Sequence, residues 1–130
     1  YQETSDTLPA FERIGLGGHG TVRGFRENRW LKDSGMTASL MLSAPLLAAG
    51  SRNGIAVRAM LFYDYGRGEN SVAALNVDTE VSLRSAGFGL TADYQKLKFR
   101  IERALRLNKK NKLGNALQDS GIHVGVTYEL

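Results

Sequence analysis

The sequence predicts an all-β chain of five antiparallel strands laid up and down, and two observations carry that prediction. From residue 35 onward the apolar residues recur with a period of two. The connections between the alternating runs are by turns short and long. A strand sends successive side chains to opposite faces, so each run acquires one apolar face and one polar or small face. Strands of about 9–11 residues, with tight turns at one end and long loops at the other, are the layout of an outer-membrane barrel. A soluble sandwich or a lipocalin-like barrel, its apolar set turned to a core, satisfies the same alternation.

The opening segment, residues 1–34, shows no such period and is the longest connection. Met36, Ala38, Leu40, Leu42, Ala44 and Leu46 then form the apolar face of the first strand, opposite Thr37, Ser39, Met41 and Ser43. A Gly/Asn/Ser turn at 48–54 leads to Ile55, Val57, Ala59, Leu61, Tyr63 and Tyr65, opposite Ala56, Arg58, Met60, Phe62 and Asp64. After a polar link at 67–82, the third strand sets Ala86, Phe88, Leu90, Ala92 and Tyr94 against Ser85, Gly87, Gly89, Thr91 and Asp93. Gln95-Lys96 is a tight turn into the fourth, where Leu97, Phe99, Ile101, Leu105 and Leu107 alternate with Lys98, Arg100, Glu102, Ala104 and Arg106. A second long link, 108–120, precedes Ile122, Val124, Val126, Tyr128 and Leu130, which alternate with His123, Gly125, Thr127 and Glu129. Tyr63, Tyr65, Tyr94 and Tyr128 are placed at strand ends on the apolar face, where an interfacial girdle belongs. Arg103 dissents by falling on that face, at a cost of ~2–4 kcal/mol at mid-membrane and less near the interface.

Composition narrows the chemistry. The 130 residues, 42% hydrophobic and 23% charged, contain no Cys, which removes disulfides, thiolate nucleophiles and Cys-based zinc sites. No apolar run approaches the ~18 residues of a spanning helix, and no basic start leads into a signal-peptide core. A net charge of +4 is a mild bias, weak support for nucleic acid as a partner. Gly15-Leu16-Gly17-Gly18-His19-Gly20-Thr21-Val22 matches the glycine-rich loop of protein kinases, and Asp64-Tyr65-Gly66 mimics their magnesium-binding triplet. The loop also satisfies the shorter dinucleotide fingerprint, but that site needs a helix after the loop and no helical stripe follows. A kinase needs an H-R-D loop, and neither His19 nor His123 precedes an Arg-Asp pair. The two histidines read as a loop residue and a polar-face residue with no ligand spacing between them. No residue is nominated as catalytic, and neither enzymatic activity nor a cofactor is expected.

The stretch Leu16-Gly17-Gly18-His19-Gly20-Thr21-Val22-Arg23-Gly24-Phe25-Arg26-Glu27-Asn28 resembles the VRGF signature loop of the Omp85 superfamily. Its continuation through Asp33-Ser34-Gly35 to a strand ending in Pro45-Leu46 resembles the two-partner-secretion transporters, the haemolysin-activator and filamentous-haemagglutinin-transporter family. The F-x-D-x-G signature stands as Phe62, Asp64 and Gly66, and residues 117–123 resemble the entry to the family's last strand. The resemblance implies an outer-membrane pore of a Gram-negative-type bacterium that exports one large partner exoprotein without nucleotide. The alternative within the superfamily is a barrel-assembly factor, and outside it a soluble basic β-domain that binds a ligand or nucleic acid. The implied fold is a transmembrane β-barrel of about sixteen strands. Residues 1–34 would be its lumenal signature loop and 35–130 its last five strands, an incomplete barrel.

The resemblance also implies roles. Arg23 would meet Asp64 on the inner wall in a bidentate bridge that Lys cannot reproduce. Gly17, Gly18 and Gly24 would let the loop pack tightly against that wall, and Phe25 would wedge against Phe62, beside Gly66. Arg58, Ser85, Thr91, Asp93 and Arg100 would line the export path or anchor the loop. His123, Gly125, Tyr128 and Leu130 would form the terminal signal read by the barrel-assembly machinery, with Leu where the family usually has Phe. Besides that machinery, the implied partners are the secreted exoprotein and outer-membrane lipid, with no nucleic acid.

Overall fold

The computed structural model describes residues 1–3, 8–9, 12–48, 54–71, 80–108 and 120–129. Among them lie seven strands and no α-helix: β1 (Ile14–Leu16), β2 (Trp30–Lys32), β3 (Ser34–Leu47), β4 (Ile55–Glu69), β5 (Glu80–Tyr94), β6 (Leu97–Arg106) and β7 (Ile122–Tyr128). The last five form one sheet in chain order, every neighbour antiparallel. The fold class is therefore all-β, and each alternating run is a strand of this sheet.

The faces follow the parity of the sequence. Leu40, Leu61, Phe88, Ile101 and Val124, each more than a third exposed, stand on one side of the sheet. Met60, Phe62, Asp64, Ser85, Thr91 and Glu102 are buried on the other, beneath the opening segment. A soluble sandwich or lipocalin-like barrel turns its apolar set inward. Here that set faces out and the carboxylates face in, as in a membrane barrel wall.

Three features depart from the sequence reading. The opening segment carries a hairpin of its own, pairing Ile14 with Lys32 and Leu16 with Trp30. Three-residue strands are too short for alternation to register. Three wall strands also outrun the expected length, with 14 residues in β3 and 15 in both β4 and β5, whereas β6 has 10 and β7 has 7. The link expected at 67–82 is correspondingly shorter, because Arg67 pairs with Ser82, Gly68 with Val81 and Glu69 with Glu80. The apolar period stops at Tyr65 because the outward side chains turn to Arg67 and Glu69, while the backbone ladder continues. Tyr63 and Tyr65 consequently lie inside β4 rather than at its end, whereas Tyr94 and Tyr128 do close β5 and β7. The Gln95-Lys96 turn is as tight as expected, with Gln95 at a φ of 53°. Residues 49–53 of the other short turn, 72–79 and 109–119 of the long links, and Leu130 lie outside the described residues.

The buried apolar cluster sits between the opening segment and the inner wall. Leu16, Val22 and Phe25 from the segment pack with Leu83 of β5, flanked by Trp30 and Val81. Burial of this group holds the segment against the sheet, at roughly 1.5–3 kcal/mol for each fully enclosed side chain.

Candidate functional site

The F-x-D-x-G spacing acquires its meaning from the strand period. Phe62, Asp64 and Gly66 are two apart on β4, so all three face inward in a column, and the turn around Arg23 descends onto them. Arg23 Nε donates to Asp64 Oδ2 at 2.7 Å and Nη2 donates to Oδ1 at 2.8 Å, the bidentate fork of a guanidinium on a carboxylate. The Arg23 backbone N–H adds a third bond to Oδ2 at 3.1 Å. Ser39, opposite Asp64 on β3, donates to Oδ1 at 2.6 Å and accepts from Arg23 Nη2 at 3.2 Å. Below, the guanidinium carbon lies 3.5 Å from the centre of the Phe62 ring, where the ring quadrupole attracts a desolvated cation. Arg23 is 6% exposed and Asp64 1%. Burial opposes the charge on Arg23, but the Asp64 hydrogen bond and the charges of Asp64 and Glu102 outweigh it and raise its pKa above the ordinary arginine value.

Two glycines make the approach possible. Gly24 turns the chain with a φ of +89°, and a Cβ there would sit 3.0 Å from the Ala104 side chain. Gly66 leaves room for Val22, whose Cγ2 would be 2.7 Å from an added Cβ. Gly17 and Gly18 also have positive φ, and an added Cβ would meet the Arg26 carbonyl at Gly17 and the Glu27 carboxylate at Gly18. Phe25 departs from expectation. It joins Leu16, Val22 and Leu83 and meets Trp30 edge-on at a centroid distance of 5.8 Å, while the Phe62 ring lies beneath Arg23. Residues 23 and 25 are separated by Gly24, whose left-handed turn sends the two side chains to different partners.

A second polar knot lies at the base of the segment, on a residue that had no role in the sequence reading. Asp33, between β2 and β3 and 1% exposed, accepts the Leu8 N–H at 3.0 Å on Oδ1 and the Ser71 N–H at 3.0 Å on Oδ2. Arg13 Nε lies 3.0 Å from Oδ1. Burial pushes the carboxyl pKa up, but the two backbone bonds and Arg13 outweigh it and hold it below the usual range. The available signal was the Asp33-Ser34-Gly35 motif, which names the residue without its partners.

A third group gathers on β6 and β7. Glu102 pairs with His123 across the strands, and both face inward. His19 Nε2, from the tip of the segment, stands 3.3 Å from Glu102 Oε2 and its ring meets that of His123 edge-on at 5.8 Å. His19 is a loop residue and His123 a polar-face residue, as the sequence reading has them, and the fold makes them neighbours; parity places His123 inward, but nothing local shows where His19 lands. Arg23 Nη1 and Arg100 Nη1 lie 3.7 and 3.8 Å from Glu102 Oε1. Among the described residues no group of three or more His, Asp or Glu is arranged to hold a metal ion.

The remaining site residues are dispersed. Ser85 and Thr91 are buried on the inner wall, Asp93 lies 4.0 Å from Lys98, and Arg58 is exposed. Gly125 and Tyr128 are exposed on β7.

A family profile described as the Omp85 superfamily domain matches residues 1–128. The chain belongs to the Omp85 superfamily. No curated protein and no solved structure matches it. As in an Omp85 domain generally, the sheet is of outer-membrane barrel type, with its apolar residues exposed on one face. The VRGF segment of this Omp85 chain lies on the opposite face, fastened to β4 through Arg23 and Asp64. The superfamily handles secreted or outer-membrane polypeptides as substrates.

Proposed function

We propose that this Omp85 chain forms the C-terminal barrel region of a two-partner-secretion transporter, which exports one large exoprotein through its lumen. The observation that carries the reading is the bidentate Arg23–Asp64 bond, which fixes the VRGF segment to the inner wall. It is reinforced by the TVRGFREN and DSG motifs that flank it. Nothing in this mechanism needs a nucleotide or a catalytic residue. The loop narrows the lumen, and the polypeptide passes unfolded along inner-face groups such as Arg58, Thr91 and Arg100. Directionality comes from folding outside the cell. A polar wall suits such traffic, since it hydrogen-bonds a passing backbone without offering an apolar surface on which it would stall.

The test is export by the full-length transporter carrying Arg23→Ala. Secretion of the exoprotein falls at least about tenfold, as expected when one partner of a buried charge pair is removed. The variant still reaches the outer membrane and keeps its heat-modifiable migration. Unchanged secretion overturns the reading. A general loss of unrelated outer-membrane barrels in the same strain identifies an assembly factor instead.

A further inference from the structure

Glu102 is a buried carboxylate that the Arg23–Asp64 bond leaves unused. It is 1% exposed, and neither oxygen has a hydrogen bond among the described residues. A carboxylate held so far from water is costly unless cations or donors answer it. Three groups approach without forming a hydrogen bond: His19 at 3.3 Å, Arg23 at 3.7 Å and Arg100 at 3.8 Å. Arg23 is already committed to Asp64, and Arg100 belongs to the wall itself. His19 is the nearest of the three and comes from the loop. The site is built for the contact. Gly89, opposite Glu102, gives its stem room, since a Cβ there would meet Glu102 Cγ at 2.9 Å. The His19 backbone N–H is held by Glu27 Oε1 at 2.8 Å, which orients the loop tip.

We infer that Glu102 is a second positioning residue for the signature loop, gripping its tip through His19. The inference rests on the lumenal-loop reading but not on which polypeptide is exported. The groups facing His19 are Glu102 and Arg100 on β6, His123 on β7, and Glu27 and Arg23 within the loop; Lys98 lines the same cavity. Glu102 is the acidic group in contact with the ring.

The experiment places a reporter thiol at the loop tip of the full-length protein in its membrane. Gly20→Cys suits, because an added Cβ meets nothing within 4 Å and the region has no other cysteine. Labelling by a membrane-impermeant maleimide is measured and divided by the rate in a His19→Gln background. The expected result is labelling about fivefold slower than in that background. Glu102→Gln abolishes the difference, and His19→Lys keeps labelling slow. A ratio near one overturns the inference. His19 is half exposed, so its variants fold even where the Glu102 variant does not. Arg23→Ala separates the two layers of the argument. If it speeds labelling while the His19 ratio is near one, only the role of Glu102 fails. If it leaves labelling unchanged, the loop is not fastened through Arg23 at all.

Discussion

Asp64 binds Arg23 by both its side chain and its backbone N–H, so the two partners are not equivalent. Arg23→Ala keeps the backbone bond, whereas Asp64→Ala loses all three and strands a buried guanidinium. Asp64→Ala therefore lowers the temperature of the folded-to-unfolded gel transition more than Arg23→Ala does, within the ~3–5 kcal/mol of a broken buried pair. Asp33 makes a separate prediction. Its folded-state pKa is depressed, so its contribution is present above the unfolded value of about 3.9 and is lost only as pH falls through the lower folded value. Protection of the chain at Leu8 and Arg13 from proteolysis should persist down to about pH 4 and fail below it. Asp33→Asn should expose the segment at every pH. Parity alone put Phe62, Asp64 and Gly66 on one face, and the motif supplied Arg23 as their partner. The partner of Phe25 was illegible, because the Gly24 turn decides it and a φ of +89° leaves no mark in hydropathy.

At the scale of elements, the five wall strands were legible because each is long enough for several alternations. Their true ends were not, since Arg67 and Glu69 break the apolar period while Gly68 still pairs with Val81. The β1–β2 hairpin escaped notice because its strands are three residues each. The convergence of His19 on Glu102 escaped for another reason: a loop contact spanning 83 residues of sequence has no local signature. The fit between loop and wall is testable by crowding it. Gly66→Ala drives a Cβ to 2.7 Å from Val22 Cγ2, and should destabilise the loop by about 1–3 kcal/mol. Adding Val22→Ala removes the clashing methyl and restores protection of the loop from protease.

For the whole molecule, the side of the sheet that meets lipid settles how substitutions behave. Arg103 stands outward with Phe88 and Ile122 as its cross-strand neighbours. Replacing it with Leu removes a charge from an apolar surface worth up to ~2–4 kcal/mol. That variant should raise the unfolding temperature in lipid, and a fall in that temperature counts against a lipid-facing position. Asp33, Asp64 and Glu102 attach the loop at the outer end of β3, midway along β4 and lower on β6, three points that do not share a line. In kinematic terms, such a set leaves a rigid body no freedom to rotate. Release of any one attachment leaves a single axis through the other two, so the identity of the bond that opens first dictates the direction in which the loop swings.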